Sequence, residues 1–336
     1  MEIHILEACD EHEFHDLQFG FVGSRSTSMA AALTHDVIDY CVSMGSPVYV
    51  CALDAEGAFD GIPHSIMFNK AMDIVPDMYW RILVFWYRRL VVQVKWGGQL
   101  SVPITIRKGT RQGGLSSPFI FNLLYQDLVT TLSDMPCGLA INGITYNLCC
   151  YADDLLLCSL TILGLQKLID KANSYICLHG LRFNPAKTTC AIFGKSRFRN
   201  HTWTLEGSKL VVEDKVKHLG VILANNGHSH AESRIKSTRR AFYSLQGAGL
   251  CQNGTNPNTV AQIFSTAVRP VLTFGLGCVY NRKTVLSDIE SLQGKLLKAA
   301  LGIKKYCRNA PLLQAMNIHR LLFEPCIRVE NPTEAG

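Results

Sequence analysis

Two adjacent carboxylates, Asp153 and Asp154, break the apolar run CCYADDLLLC at residues 149–158. Burying an ionised carboxylate is expensive unless something positive compensates it. The chain can tolerate the pair in two ways: as a solvated turn between apolar strands, or as a site for a cation. The flanking stretches LCCYA and LLLCSL have strand character. They predict a hairpin with the acids at or beside its turn, where Asp is an ordinary residue.

A third acid sharpens the choice. Asp54 ends the apolar, β-branched run PVYVCALD, which reads as a buried strand. A carboxylate at the carboxyl end of such a strand can face a cleft, or can cap a following helix. If the two strands are neighbours in one sheet, three carboxylates converge, repel one another and resist ionisation. A hard divalent cation removes that repulsion, and an all-oxygen set that leaves room for water and phosphate suits Mg²⁺. Two such ions about 4 Å apart activate a hydroxyl and stabilise a leaving pyrophosphate, which is phosphoryl transfer by positioning and electrostatics.

The rest of the pattern places this constellation. Helical spacing starts after GSRSTS and runs over Met29–Met44, with Ser26 or Ser28 as cap. IPHSIMFNKAMDIV, PDMYWRILVFWYRRL, SSPFIFNLLYQDLVTTLSDM and TILGLQKLIDKANSYICLHG also read as helices. VQVKWGGQLSVPITI predicts a hairpin turning at Gly97-Gly98, and LRFNPAKTTCAIFG a strand, a turn and a second strand. Further strands are expected in WTLEGSKLVV and VKHLGVIL. From about residue 228 the pattern is helical, with helices expected near 229–248, 257–280, 284–302 and 310–316. A mixed block followed by an all-helical block predicts an α+β domain and a separate helical one.

Charge divides the same way. Residues 1–194 carry 13 Lys and Arg against 18 Asp and Glu, a net of −5; residues 195–336 carry 20 against 9, a net of +11. A basic back half fits either a polyanion partner or a solvated helical domain. The first sixteen residues hold six acids and no Lys or Arg, the reverse of a signal peptide. No apolar stretch approaches the roughly 18 residues of a membrane span. None of the 13 cysteines forms a C-x-x-C pair. The expectation is an intracellular protein without disulfides or membrane contact, its compartment, nuclear or cytoplasmic, left open.

In order along the chain, QFGFVGSRSTSMA (18–30), VCALDAEGAFDGIPH (50–64), KGTRQGGLSSPFIFNLLY (108–125), YADD (151–154), GLRFNPAKTTCAIFG (180–194) and KHLGVIL (217–223) resemble blocks of the reverse transcriptases of non-LTR (LINE-type) retrotransposons. IESLQGKLLKAALGIKK (289–305) resembles their thumb. The resemblance implies a right-hand polymerase of the α+β class: partial fingers over 1–48, and a palm over 49–227 built on an antiparallel sheet with packed helices. A fingers insertion would lie at about 76–108, and a helical thumb with C-terminal tail over 228–336. It implies an RNA-directed DNA polymerase that extends a primer 3′-OH with dNTPs on an RNA template, using two Mg²⁺ ions, with Mn²⁺ as a substitute. The near coincidence of the chain start with the fingers block implies an N-terminally truncated fragment. The alternative is a catalytically inactive remnant that binds nucleic acid.

By the same resemblance, Asp54 and Asp153 ligate the metals, Asp154 completes the triad, and Ala55 lends a backbone carbonyl. Phe59 matches the gate that excludes a ribose 2′-OH; without the resemblance it reads as a core aromatic. Gln112 and Gly113, with Gly114, match the nucleotide- and template-positioning block. Arg25 matches a triphosphate contact, or reads as a surface Arg at a helix start. Lys187 matches a donor of a proton to pyrophosphate, or an exposed turn lysine. His218, Leu219 and Gly220 match the primer grip. Arg234, Lys236, Arg239, Arg240, Lys295, Lys298, Lys304 and Lys305 match thumb residues that follow the duplex backbone, or line a solvated face.

Overall fold

The computed structural model describes residues 2–111, 113–141, 143–226, 228–250, 254–319 and 327–328. The chain divides into two compact units: one of residues 1–30 and 36–219, the other of 31–35 and 220–336. The secondary structure is α+β.

The first unit is organised by a five-stranded sheet. The elements that bear on the site are α1 (Thr27–Ser43, whose residues 31–35 belong to the second unit), β1 (Val48–Leu53), α2 (Ser117–Ser133), β2 (Leu148–Tyr151), β3 (Asp154–Ser159), α3 (Ile162–Leu178), β4 (Thr189–Phe193) and β5 (Val211–Glu213). The strand order is β5-β4-β1-β3-β2. Strand β1 lies at the centre, antiparallel to β3 (Val50 opposite Cys158, Leu53 opposite Leu155) and to β4 (Cys51 opposite Cys190). Both faces of β1 are covered, which is why its sequence is apolar rather than alternating. One edge departs from the expected antiparallel pattern: β5 runs parallel to β4. The long connection 194–210, which carries the small hairpin Thr204–Leu205 with Ser208–Lys209, gives the chain room to return in the same direction.

Helix α3 packs against β3 and β1, and α2 packs against α3 and β2. The inward side of α3 is Leu165, Leu168, Ile169, Ala172 and Ile176, a helical stripe. Thr161 caps its start by accepting from the Gly164 N–H, and Gly180, at φ +73°, ends it. Ser26 caps α1 in the same way through the Met29 N–H. The Gly97-Gly98 turn has both residues at positive φ, the conformation that a two-residue hairpin requires. Before β4 the expected strand shrinks to a single bridge, Phe183 to Ala55. Pro185 has no N–H to extend a ladder, and the chain turns over 184–188 instead.

Leu156 and Leu157 on β3 are wholly buried, opposite Ala52 and Cys51 of β1. Leu156→Ala is expected to lower the unfolding free energy by about 2–5 kcal/mol, read as a lower urea midpoint at unchanged slope.

In the second unit, α4 (Ser229–Gly247) and α5 (Lys283–Leu301) share a core with shorter helices through Phe242, Phe264, Val268, Leu272, Leu296 and Leu297. The single helix expected over 257–280 is four pieces, three in succession and a 3₁₀ turn at Leu276–Cys278. An α segment at Pro257–Ile263 widens into a π turn at Phe264–Val268, then resumes at Arg269–Thr273. Pro270 cannot donate within a helix, and the π turn lies just ahead of it. Phe274 is extended and Gly275 left-handed, which ends the run.

Candidate active site

The register that pairs Leu53 with Leu155 brings the ends of β1 and β3 together, so Asp54 and Asp154 leave the sheet side by side. Tyr151 opposite Asp154 closes the β2–β3 hairpin, with Ala152 and Asp153 as its two-residue turn. The acid pair therefore straddles the end of the turn, Asp153 within it and Asp154 opening β3, and the turn lies next to Asp54. Asp153 is half-buried, and the Asp54 side chain is 42% exposed. The electrostatics carry the signature of convergence. Desolvation raises the Asp153 carboxyl above its ordinary value, its own backbone N–H opposes this, and the charge of Asp54 adds to the rise. Asp154 is raised by desolvation, then by Asp153 and Asp54, and lowered by Lys217.

Asp54 is anchored from the turn before β4. Its carbonyl accepts from the Asn184 N–H at 2.8 Å, and its N–H donates to Thr188 Oγ1 at 3.4 Å. The same turn presents Lys187, whose Nζ lies 3.7 Å from Asp54 Oδ2. Ala55 bridges to Phe183 in the next step of the chain. Phe59 is half-buried and stacks on Phe121, with ring centroids 4.1 Å apart and planes at 17°. Its other neighbour is the exposed ring of Phe21, edge-on at 6.4 Å. Gly113 is exposed at φ +79° with open space where a side chain would stand. Gln112 lies outside the described residues.

Arg25 is placed differently from the expected triphosphate contact. Its guanidinium donates to the carbonyls of His15 and Gln18 at 2.6 Å each and to that of Phe14 at 3.3 Å, and pairs with Asp16 at 3.2 Å. Its donors are turned onto the loop ahead of α1, which they hold closed. His218 is also turned inward. Burial lowers its pKa to about 4, so the ring is neutral, and its Nε2 has no hydrogen-bond partner among the described residues. Leu219 is left-handed at φ +50°. In the second unit Gly220 is at φ +77°, and a Cβ there would lie 2.9 Å from the Phe274 ring. Lys236, Arg239, Arg240, Lys295, Lys304 and Lys305 are exposed. Arg234 lies over the Phe274 ring at 5.7 Å. Lys298 departs from the expected phosphate-facing set: it is buried, and its ammonium donates to the Lys305 carbonyl at 3.1 Å.

One charged neighbour of the acids escapes the sequence reading. Lys217 acts on Asp154 from strand Lys215–His218, where exposed and buried residues alternate. That period of two, with Val216 and His218 inward, is the signal that places Lys215 and Lys217 on the open face.

Among the described residues no three His, Cys, Asp or Glu side chains are gathered tightly enough to form a finished ion cage. The chemistry of the donor set nevertheless fits a hard divalent cation. All the donors are carboxylate oxygens, and the charge of Asp54 adds to the desolvation that raises Asp153 and Asp154. The described cysteines are free thiols, and no helix among the described residues is long and apolar enough to cross a membrane.

The family described as "Reverse transcriptase (RNA-dependent DNA polymerase)" matches residues 2–223. The chain is 24% identical to the "Probable RNA-directed DNA polymerase from transposon BS" of Drosophila melanogaster, over 90% of its own length and 34% of that protein. It is 27% identical to the Pol polyprotein of the type-1 retrotransposable element R2 of Popillia japonica, over 69% of this chain and 39% of the relative. The chain thus spans little more than a third of these relatives. Among solved structures, a telomerase from Candida tropicalis in complex with a fragment of telomeric RNA aligns over 94% of this chain and 55% of that one, with a TM-score of 0.45 and 12% identity. With the family match covering most of the chain, including β1, the acid hairpin and Lys187, the protein belongs to the reverse transcriptase family.

Proposed function

We propose that this chain is the polymerase domain of a non-LTR retrotransposon protein, joining dNTPs to a primer 3′-OH on an RNA template. The observation that carries this reading is the convergence of Asp54 with the Asp153–Asp154 hairpin at the ends of two adjacent strands, where the charge of Asp54 adds to the desolvation that raises both hairpin carboxyls. A cluster of that kind destabilises the fold unless a bound cation neutralises it.

Asp54, Asp153 and Asp154 would hold Mg²⁺ or Mn²⁺. Bound there, the metal supplies charge neutralisation for the attacking hydroxyl and the leaving pyrophosphate. Lys187, exposed and 3.7 Å from Asp54, has the reach and charge to meet a phosphate oxygen and to carry a proton to it at Nζ. The Phe59 ring, backed by Phe121, forms a stiff wall on the nucleotide side. The exposed cations of α4, Lys236, Arg239 and Arg240, suit a phosphate backbone. The template would be RNA, the primer DNA.

The test is primer extension on an RNA template by the purified chain beside its Asp153→Ala variant. Extension by the parent and none by the variant is the expected result. Salt-sensitive binding of the hybrid with no incorporation by either protein would overturn the enzymatic reading and leave a nucleic-acid-binding remnant.

A further inference from the structure

The acid turn is held in a conformation that its own sequence disfavours. Ala152 is at φ +56°, left-handed, where a non-glycine residue is strained. The turn therefore needs an external hold, and the buried residue Gln18 supplies it. Its Oε1 accepts from the Ala152 N–H at 3.1 Å and from the Gly20 N–H at 2.9 Å. Its Nε2 donates to Cys150 Sγ at 3.3 Å, and that thiol in turn donates to the Ala152 carbonyl at 3.4 Å. One side-chain amide thus reaches both backbone groups of Ala152, directly on one side and through sulfur on the other.

The carrier of Gln18 is also fixed. The Phe19 N–H donates to the Cys150 carbonyl at 2.7 Å and the Cys150 N–H to the Leu17 carbonyl at 2.9 Å, so this loop pairs along the outer side of β2. Gly20 lies against the turn, where a Cβ would stand 2.4 Å from the Ala152 nitrogen. Asn122 of α2 donates to the Gly20 carbonyl at 2.6 Å, and Arg25 clamps the Gln18 carbonyl.

We infer that Gln18 is a positioning residue for the polymerase reaction: it locks Ala152 left-handed and so fixes the direction in which Asp153 and Asp154 leave the hairpin. The catalytic part of this inference rests on the polymerase reading; the structural part does not.

The experiment combines hydrogen exchange with a double-mutant cycle. Gln18→Met keeps the volume and removes the strong acceptor. Without substrates, the Ala152 amide is expected to lose protection by about tenfold or more, while the amides of β3 keep theirs. In primer extension, kcat is expected to fall about 10- to 100-fold with KM for dNTP within about threefold. Ala152→Gly removes the strain, so Gln18→Met should cost several-fold less in that background. Gln18→Glu keeps an acceptor for both amides and is expected to retain Ala152 protection and more kcat than Met.

Unchanged Ala152 protection in a folded Gln18→Met protein overturns the hold. So does an equal loss of kcat in the parent and Ala152→Gly backgrounds, because a general loss of stability would act on both alike. If Gln18→Met does not fold, loss of Ala152 protection in a folded Gln18→Glu protein overturns it. A parent protein that incorporates no dNTP refutes the polymerase reading instead, and the exchange data still decide whether Gln18 holds the turn.

Discussion

Asn in place of Asp54 is expected to lower dNTP incorporation by at least about 10³-fold and, in the same protein without divalent cations, to raise thermal stability at neutral pH. The two effects share one cause. Desolvation raises the carboxyl pKa of both Asp153 and Asp154, and the charge of Asp54 adds to each rise. Each folded-state pKa lies above the ordinary value of 3.8, so the native state binds those protons more tightly than the unfolded chain does. The linkage has a definite sign: stability falls as pH rises from 3.8 through the elevated folded values, and the repulsion is fully expressed above them. Removing Asp54 relieves the repulsion at neutral pH and flattens that decline. The accompanying loss of the Lys187 pair is small, because both partners are solvent-exposed and such pairs contribute about 0–1 kcal/mol.

Divalent cations should reverse the comparison. A cation that binds only the folded parent stabilises it by about 2.7 kcal/mol at one hundred times its dissociation constant. Mg²⁺ or Mn²⁺ is thus expected to raise the parent's melting temperature and to have a much smaller effect on Asp54→Asn. Thermal melts with chelator and with added metal, beside primer extension, read all of this. Equal responses to metal in the two proteins would remove Asp54 from the ion site.

Much of this arrangement is legible in the chain because strands and turns announce themselves locally. The runs around Cys51 and Leu156 are apolar enough to require burial on both faces, and the acid pair between two such runs requires a turn. The passage from mixed elements to helices is a change of period that needs no tertiary information. What the sequence hides depends on direction and long-range pairing. Arg25 stands before a helix in a block that suggests solvent or phosphate, yet its donors point back at the carbonyls of His15 and Gln18. Lys298 belongs to a basic stripe, but its side chain turns to the Lys305 carbonyl at the helix end. Gln18 looks like an ordinary polar residue because its partner, Ala152, is 134 residues away. Nor does YADD reveal that its alanine is left-handed, since glycine is the residue that usually signals that conformation.

Sugar discrimination gives the second large effect. Phe59→Val is expected to reduce the preference for dNTPs over rNTPs by about 10- to 100-fold, equivalent to roughly 1.4–2.8 kcal/mol, while much of the dNTP incorporation is kept. A half-buried ring rejects an extra hydroxyl only if it cannot move aside. Phe59 is stacked at 4.1 Å on Phe121, which is itself stacked on Tyr125 at 4.8 Å, and both of these are fully buried. The row of rings transmits any push into the close-packed interior, where displacement is costly. Val removes the outer ring, leaves Phe121 in place and opens space about the size of the missing ring atoms, enough for one hydroxyl. The same row should make Phe121→Leu a weaker version of the change: Phe59 keeps its bulk but loses its backing, so discrimination falls less while stability falls by about 1–2 kcal/mol. Single-nucleotide incorporation with matched dNTP and rNTP at a templated position measures both. Unchanged discrimination in Phe59→Val would mean that the ring serves only the core, and the sugar would have to be sensed elsewhere in the site.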